Sequence, residues 1–239
     1  MTKLLEQVLE AHGGLKRWKK FRTIETDVVS CGELLDRKVG RVGGALRTSA
    51  SMHEQVSFTD SVGGSDKRLS FRPDRVAIET IDGKPIMERL DPRSAFAGHD
   101  LNTPWDPLHR AYFGGYAMWS YLTSPFSFVV DGAQIWDIDP LEDNGEIWRG
   151  IRVVLPSTFA THSRAQEFYF GEDMLLRRQD YTLDVAEGLN VANYALDIVD
   201  ADGFKLPSKR RAYLCNKKYD VLRDRLLISL DMSNFCVTA

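Results

Sequence analysis

Two histidines and two aspartates lie close together between His99 and His109, where they could perform acid–base chemistry. His109 follows Asp106 by three residues and precedes Tyr112 by three, so the three side chains share one face if the segment is helical. An imidazole held by a carboxylate suits a general base near neutral pH, and a tyrosine hydroxyl can stabilise a developing oxyanion. The same spacing also fits a structural role, in which His109 completes a helix cap on Asp106. Both interpretations stay open.

His162 follows Pro156 just before a predicted strand and could face the same site from the opposite wall. A single histidine at the start of a strand is also typical of a hydrogen-bonded or exposed loop residue. The histidines at 99, 109 and 162 lack the tight spacing of a metal-ligand set, and the three cysteines contain no C-x-x-C pair. Phosphate-binding glycine loops and the G-x-S-x-G nucleophile elbow do not occur. We therefore expect no metal and no cofactor.

Residues 111–126 contain six aromatic side chains and no charge. A buried tyrosine hydroxyl needs a hydrogen-bond partner, so three tyrosines on one helix suit a cavity that holds a molecule with oxygen atoms. Packing in a dry core would explain the same rings equally well. The candidate ligand-binding set consists of aromatic residues of this region and three nearby or facing ring side chains: Trp105, Tyr112, Tyr116, Trp119, Tyr121, His99 and His162.

The element that must position these side chains is a helix predicted over 104–122. Thr103 provides the cap, Pro104 the first helical residue and Asp106 an acid in the first turn. The helix would be apolar almost all round, which is typical of a helix placed between layers or beside a cavity.

Two features inside this segment restrict its structure. Gly114 and Gly115 lower the helix propensity by about 2 kcal/mol relative to two alanines, so a close approach or a bend must compensate. Residues 111–130 carry no charge and are long enough to span a membrane, but glycines, serines and Pro125 interrupt them. We therefore predict no membrane span.

Outside this helix the apolar pattern has a period of two, which predicts strands. Residues 24–28 and 76–80 alternate in this way, and a helix capped by Thr2 opens the chain. Seven further strands are predicted after Asp131, over 131–137, 146–155, 164–171, 174–184, 191–200, 204–215 and 225–237. The pattern indicates an antiparallel meander of about ten strands, with helices inserted at its start and near its middle.

The strand predicted over 174–184 carries charged residues on both of its faces. Arg178 and Asp180 fall on one face and Arg177 on the other. An unpaired charge is costly to bury. We therefore expect this strand on the wall of a curved, partly hydrated cavity or at an exposed end of the sheet.

Several of these features occur together: an N-terminal helix ending in glycine, a long antiparallel series, an aromatic helical insertion, and the segments FYFGEDMLLRR (168–178) and DGFKLPSKR (202–210). In this combination the chain resembles the bacterial lipoprotein carriers of the LolA/LolB type. The resemblance implies an α+β fold with a single curved antiparallel sheet, a half-open β-barrel of about ten strands whose concave face is closed by helices. It also implies one domain over 1–239 with a hydrophobic cavity. It places no functional residue of that family on a numbered position.

The formal net charge is −3 and the pI is near 6.0, so the chain has no field that would attract nucleic acid. The N-terminal sequence has Glu6 and Glu10 within its apolar pattern, which is not typical of a secretory signal. We expect a cytoplasmic protein, whereas the carriers that it resembles work in the periplasm.

Three functions are compatible with these features. The first hypothesis is the binding or carrying of a hydrophobic small molecule or lipid in a cavity beneath the aromatic helix. The alternative is a cofactor-independent enzyme that uses the same cavity, with His109 as acid or base, Asp106 orienting it, and Tyr112 or Tyr116 donating a hydrogen bond to a developing oxyanion. A protein partner that docks on the aromatic helix is the third.

Overall fold

The computed structural model describes residues 1–40 and 44–239. Within them the chain forms one antiparallel sheet of 13 strands that is not closed. The strands are β1 (Thr23–Cys31), β2 (Leu46–Ser51), β3 (Ser57–Asp60), β4 (Lys67–Arg72), β5 (Arg75–Thr80), β6 (Pro85–Leu90), β7 (Gln134–Asp143), β8 (Glu146–Val154), β9 (Ala165–Phe170), β10 (Leu176–Leu183), β11 (Leu189–Ala201), β12 (Phe204–Cys215) and β13 (Val221–Thr238). The α-helices are α1 (Lys3–Ala11), α2 (Leu15–Trp18), α3 (Glu33–Val39) and α4 (Pro107–Thr123). The α+β class is confirmed, but the sheet has 13 strands instead of about ten.

The sheet is a meander in two halves. Its order is β6-β5-β4-β3-β2-β1-β13-β12-β11-β10-β9-β8-β7, so the first and last strands pair at its centre. The two edge strands, β6 and β7, are consecutive in the chain and are joined by the segment 91–133 that contains α4. α4 packs on β2 to β6, and Phe128 then packs on Phe168 of β9 with ring centroids 4.3 Å apart. Both halves therefore curve around one helical layer, as open sheets of this size usually do.

The N-terminal helices complete that layer. Thr2 caps α1 by accepting a hydrogen bond from the Leu5 amide at 3.2 Å, as the sequence predicted. Trp18 of α2 stacks on Phe126 at 4.2 Å, which ties the N-terminus to the segment that follows α4. The larger of two hydrophobic clusters contains residues of α1, α4 and both halves of the sheet.

The start of α4 differs from the prediction. The helix begins at Pro107 and its cap is Asp106, whereas the sequence indicated a cap at Thr103 and a helix from residue 104. Thr103 instead closes a turn, since its amide donates to Asp100 Oδ1 at 2.7 Å. Both sites place a capping side chain directly before a proline, so the local sequence alone does not decide between them. In the described residues, α4 and the other helices are too short or too polar to cross a membrane.

The charged strand β10 lies inside the sheet and not at an exposed end, since it pairs with β9 and β11. Arg178 is only 4% exposed and Asp180 only 6%. The two side chains pair with each other on the same face of the strand, at 2.6 and 2.8 Å. The sequence predicted that these charges would need a hydrated wall or an exposed end. The ion pair between Arg178 and Asp180 instead compensates them inside the sheet.

Candidate functional site

Two opposite faces of α4 have different surroundings. Four residues form the packed face, which lies against strands and loops: Tyr112, Gly115, Tyr116 and Trp119. Six residues form the cavity face, which borders a partly open space: Arg110, Phe113, Gly114, Ala117, Met118 and Tyr121. Within each set the residues recur at intervals of three and four, as one side of a helix requires.

The packed face is filled by aromatic rings. Tyr112 and Tyr116 are 1% and 0% exposed, and their rings meet edge to face at 5.3 Å. Tyr112 also packs on Phe71 of β4 at 5.7 Å. The indole nitrogen of Trp119 donates to two backbone carbonyls of the 51–54 segment, at 2.9 and 2.7 Å. These contacts fix the helix on the first half of the sheet.

The two glycines of α4 have opposite roles. A Cβ at Gly115 would lie 2.3 Å from the Cβ of Phe71, so the close approach that the sequence required occurs here. Ser57 strengthens it by donating to the Gly115 carbonyl at 3.0 Å. A Cβ at Gly114 would meet nothing within 4 Å. Gly114 thus keeps space open on the cavity face.

The space beside the cavity face has a volume of about 90 Å³. Among the described residues that line this space, Arg110 is the one with a charge. Most of the other lining side chains are apolar. The sheet side of the lining consists of Val28, Ser30, Leu46, Thr48, Thr59, Leu69, Ile228 and Leu230, with Leu35 of α3 beside them. The result is a small apolar cavity between α4 and the strands around β1.

A larger groove shares two lining residues with this cavity. Its volume is about 440 Å³, and Leu69 and Arg110 line both spaces. Trp105, which precedes α4, and Pro107, its first residue, form one wall, and β4 to β6 contribute apolar side chains such as Ile86, Met87 and Ile78. We call the smaller space the inner cavity and the larger one the outer groove, and Leu69 and Arg110 line both.

A buried polar cluster lies behind Tyr121, at the far end of the cavity face. The Tyr121 hydroxyl lies 2.9 Å from His162 Nε2, and the His162 ring stacks on Tyr181 at 4.1 Å. The Arg210 guanidinium lies 4.2 Å from the centre of the Tyr121 ring. Its hydrogen-bond partner is Gln179 Oε1 at 3.4 Å, and among the described residues no carboxylate forms an ion pair with it.

Burial sets the protonation of this cluster. It lowers the pKa of His162 to about 3, helped by the positive charges of Arg93 and Arg210. It also lowers the pKa of Arg210 to about 10. At neutral pH His162 is therefore uncharged and Arg210 remains a cation.

The predicted acid–base group lies at the start of α4. His109 Nδ1 is 3.3 Å from the Asp106 amide and 2.9 Å from Asp106 Oδ1, and Nε2 is 3.1 Å from the Ala95 carbonyl. Burial alone would raise the pKa of Asp106, but hydrogen bonds from Arg89 and the His109 amide outweigh it and lower this pKa to about 2. Asp106 and His109 form a capping box, and both ring nitrogens already have partners in the protein.

The remaining predicted residues are divided among several places. His99 packs on His109 with ring centroids 4.8 Å apart, whereas His162 belongs to the Tyr121 cluster. Tyr121 lines the inner cavity and Trp105 lines the outer groove. Tyr112, Tyr116 and Trp119 lie on the packed face.

No protein-family model matches the sequence, and no curated protein matches it. Solved structures share its architecture. A DUF1329 family protein from Desulfovibrio piger is 10% identical, with a TM-score of 0.57 over 98% of this chain and 91% of that one. A domain classed with outer membrane lipoprotein-sorting proteins from Vibrio parahaemolyticus is 8% identical, with a TM-score of 0.58 over 98% of this chain and 91% of that one. A LolA superfamily protein from Nitrosomonas europaea is 6% identical, with a TM-score of 0.50 over 97% of this chain and 92% of that one.

The chain has a LolA-like fold. This likeness confirms the architectural part of the sequence resemblance, and at 6–10% identity it concerns the fold alone.

Sequence reasoning missed several residues in and next to the cavity of this LolA-like sheet. Arg110 carries no distinctive signal in the sequence, because a charge in the first turns of a helix is typical of a solvated helix surface. Gly114 and Ala117, three residues apart, were a usable signal, since small side chains at helical spacing leave room on one face. Arg210 gave no signal, because it lies among basic residues that are typical of an exposed strand.

Proposed function

We propose that the protein binds or carries a hydrophobic small molecule in the inner cavity, with the sheet acting as a half-open barrel whose concave face α4 closes. The observation that carries this proposal is the lining of the cavity face, where Phe113, Ala117 and Met118 oppose Ile228 and Leu230 across a space that Gly114 leaves open. Apolar concave sites with a few polar groups are typical of small-molecule binding.

The size of the cavity restricts how the guest is held. An engineered apolar cavity of about 150 Å³ accepts benzene, whereas the inner cavity has about 90 Å³. A guest of more than a few atoms therefore extends past Leu69 and Arg110 into the groove of about 440 Å³. The name of the V. parahaemolyticus domain refers to lipoprotein sorting, which supports a lipid-like guest.

The two other hypotheses receive less support from the geometry. An enzyme based on His109 would have to break a hydrogen bond to Asp106 or to Ala95 before the imidazole could reach a substrate. A protein partner would need an exposed aromatic surface, but the rings of Tyr112 and Tyr116 are buried against the sheet. Binding in the cavity requires neither change.

Fluorescence titration with the neutral probe N-phenyl-1-naphthylamine tests the proposal. The wild-type protein should bind the probe saturably, and Gly114→Phe, which fills the open space, should weaken binding by about tenfold or more. Gly114→Ala is the matched control, since a methyl group leaves most of the cavity free. Circular dichroism checks that both variants fold. Equal binding by wild type and folded Gly114→Phe, or no saturable binding by the wild type, would contradict the proposal.

A further inference from the structure

Arg110 is a cation at the boundary between the two spaces. It is partly buried on α4 and lines both the inner cavity and the outer groove. Neighbouring arginines have carboxylate partners, as in Arg89–Asp106 at 2.6 Å and Arg68–Glu79 at 2.9 Å. Among the described residues, the Arg110 guanidinium has no ion pair or hydrogen bond of this kind, and burial lowers its pKa. Its charge is left without a partner where a guest would pass.

The charges around both spaces have one sign. The charged residues that line the outer groove are Lys67 and Arg110, and the charged residue that lines the inner cavity is Arg110. Among the described residues, no acidic side chain lines either space. Positive charge at the mouth of an apolar cavity is complementary to a molecule with an apolar tail and a negative head.

We propose that the guest is an amphiphile with an anionic head group, a carboxylate or a phosphate, and that Arg110 binds this head group while the apolar chain contacts Phe113 and Met118. This inference rests on the proposed function. A planar guanidinium pairs with either oxyanion through two parallel hydrogen bonds, and a partly buried site strengthens such bonds. A neutral lipophile would leave the Arg110 charge partly buried and unpaired.

Arg210 is the other cation near the cavity, but it is less accessible. It is 1% exposed and is separated from the inner cavity by the ring of Tyr121, 4.2 Å from its guanidinium. Leu230, which pairs with Arg210 on the neighbouring strand β13, lines the inner cavity, whereas Arg210 does not. A head group could reach Arg210 only after Tyr121 moved, while Arg110 faces the groove directly.

Displacement of N-phenyl-1-naphthylamine by dodecanoate, dodecyl phosphate and dodecanol tests this inference. The quantity compared is the affinity of each anion relative to dodecanol, which has the same chain and no charge. Loss of a charge-assisted hydrogen bond should reduce this ratio by about tenfold in Arg110→Gln. Arg72→Gln is the matched control, because Arg72 is an exposed arginine at the end of β4, and the ratio should stay unchanged.

The outcomes separate the inference from the proposed function. If the probe binds but the ratio is the same in wild type and Arg110→Gln, the head-group inference is wrong and the cavity proposal stands. If the probe does not bind to the wild type, the proposed function itself fails. A ratio that falls in Arg210→Met and not in Arg110→Gln would place the head group in the inner cluster and overturn the inference. A selective loss for one anion in Arg110→Gln supports it and identifies the head group as carboxylate or phosphate.

Discussion

The packed face and the cavity face of α4 belong to one helix but do different things. On the packed face, Tyr112 and Tyr116 fill the space down to β4 and are almost completely buried. On the cavity face, Gly114 and Ala117 leave a space that apolar side chains of the sheet enclose. The comparison shows that the large rings anchor the helix, whereas the small residues create the candidate binding site.

The largest effect should come from the glycines that distinguish the two faces. Gly115→Ala places a methyl group into the side chain of Phe71 and should destabilise the protein by about 3 kcal/mol. Gly114→Ala meets open space and should stabilise it by up to about 1 kcal/mol through helix propensity. Urea unfolding of both variants measures the difference. Equal stability of the two variants would break the comparison.

A smaller effect concerns His162, which packs behind the helix at Tyr121. Its folded-state pKa of about 3 lies below the ordinary value of 6.5, so below pH 6.5 the unfolded chain takes up a proton that the folded chain does not. The stability from this group is present above pH 6.5 and is lost as the pH falls toward 3. Between pH 7 and pH 5 it should amount to about 2 kcal/mol.

The measurement for His162 is urea unfolding at pH 7 and pH 5 in wild type and His162→Gln. The loss of stability on acidification should be smaller in the variant by that amount. An identical loss in both proteins would show that His162 is not buried in its neutral form.

The smallest effect should come from the capping box, where both faces of α4 begin. His109→Ala removes the side chain that pairs with the Asp106 amide and should lower stability by about 1 kcal/mol. His109→Gln should restore much of this loss, because glutamine at this position also completes a capping box. Thermal unfolding of the two variants is the measurement, and equal losses would contradict the capping role.

The same pair tests the acid–base hypothesis. Glutamine keeps the cap but has no imidazole, so any turnover that depends on His109 should disappear in both variants. Turnover retained in His109→Gln would exclude His109 as the acid or base.

Much of the fold could be predicted from the sequence, because a period of two is readable in long strands. The seven strands predicted after residue 131 correspond to β7 to β13. The strands β2, β3 and β4 were missed, and β3 has only four residues, too few to show an alternating pattern. The short helix α3 was also missed. The strand count therefore came out too low.

The candidate site was harder to predict, because it depends on which faces meet across the sheet. The sequence identified the aromatic helix and the need for a close approach at Gly114-Gly115, but not that only Gly115 makes this approach. The cavity wall on Ile228 and Leu230 comes from β13, more than 100 residues away, and pairs beside β1 only in the folded sheet. The cytoplasmic location stays a prediction.

The most direct test of the account is where a guest binds relative to the two faces of α4. Protein labelled with ¹³C at the methionine methyl groups can be titrated with dodecanol and followed by NMR. Met118 lines the inner cavity, while Met52 and Met232 lie in the core outside its lining. We predict a saturable shift of the Met118 methyl signal with little change at Met52 and Met232. Saturable binding of dodecanol that leaves the Met118 signal unmoved would contradict the account.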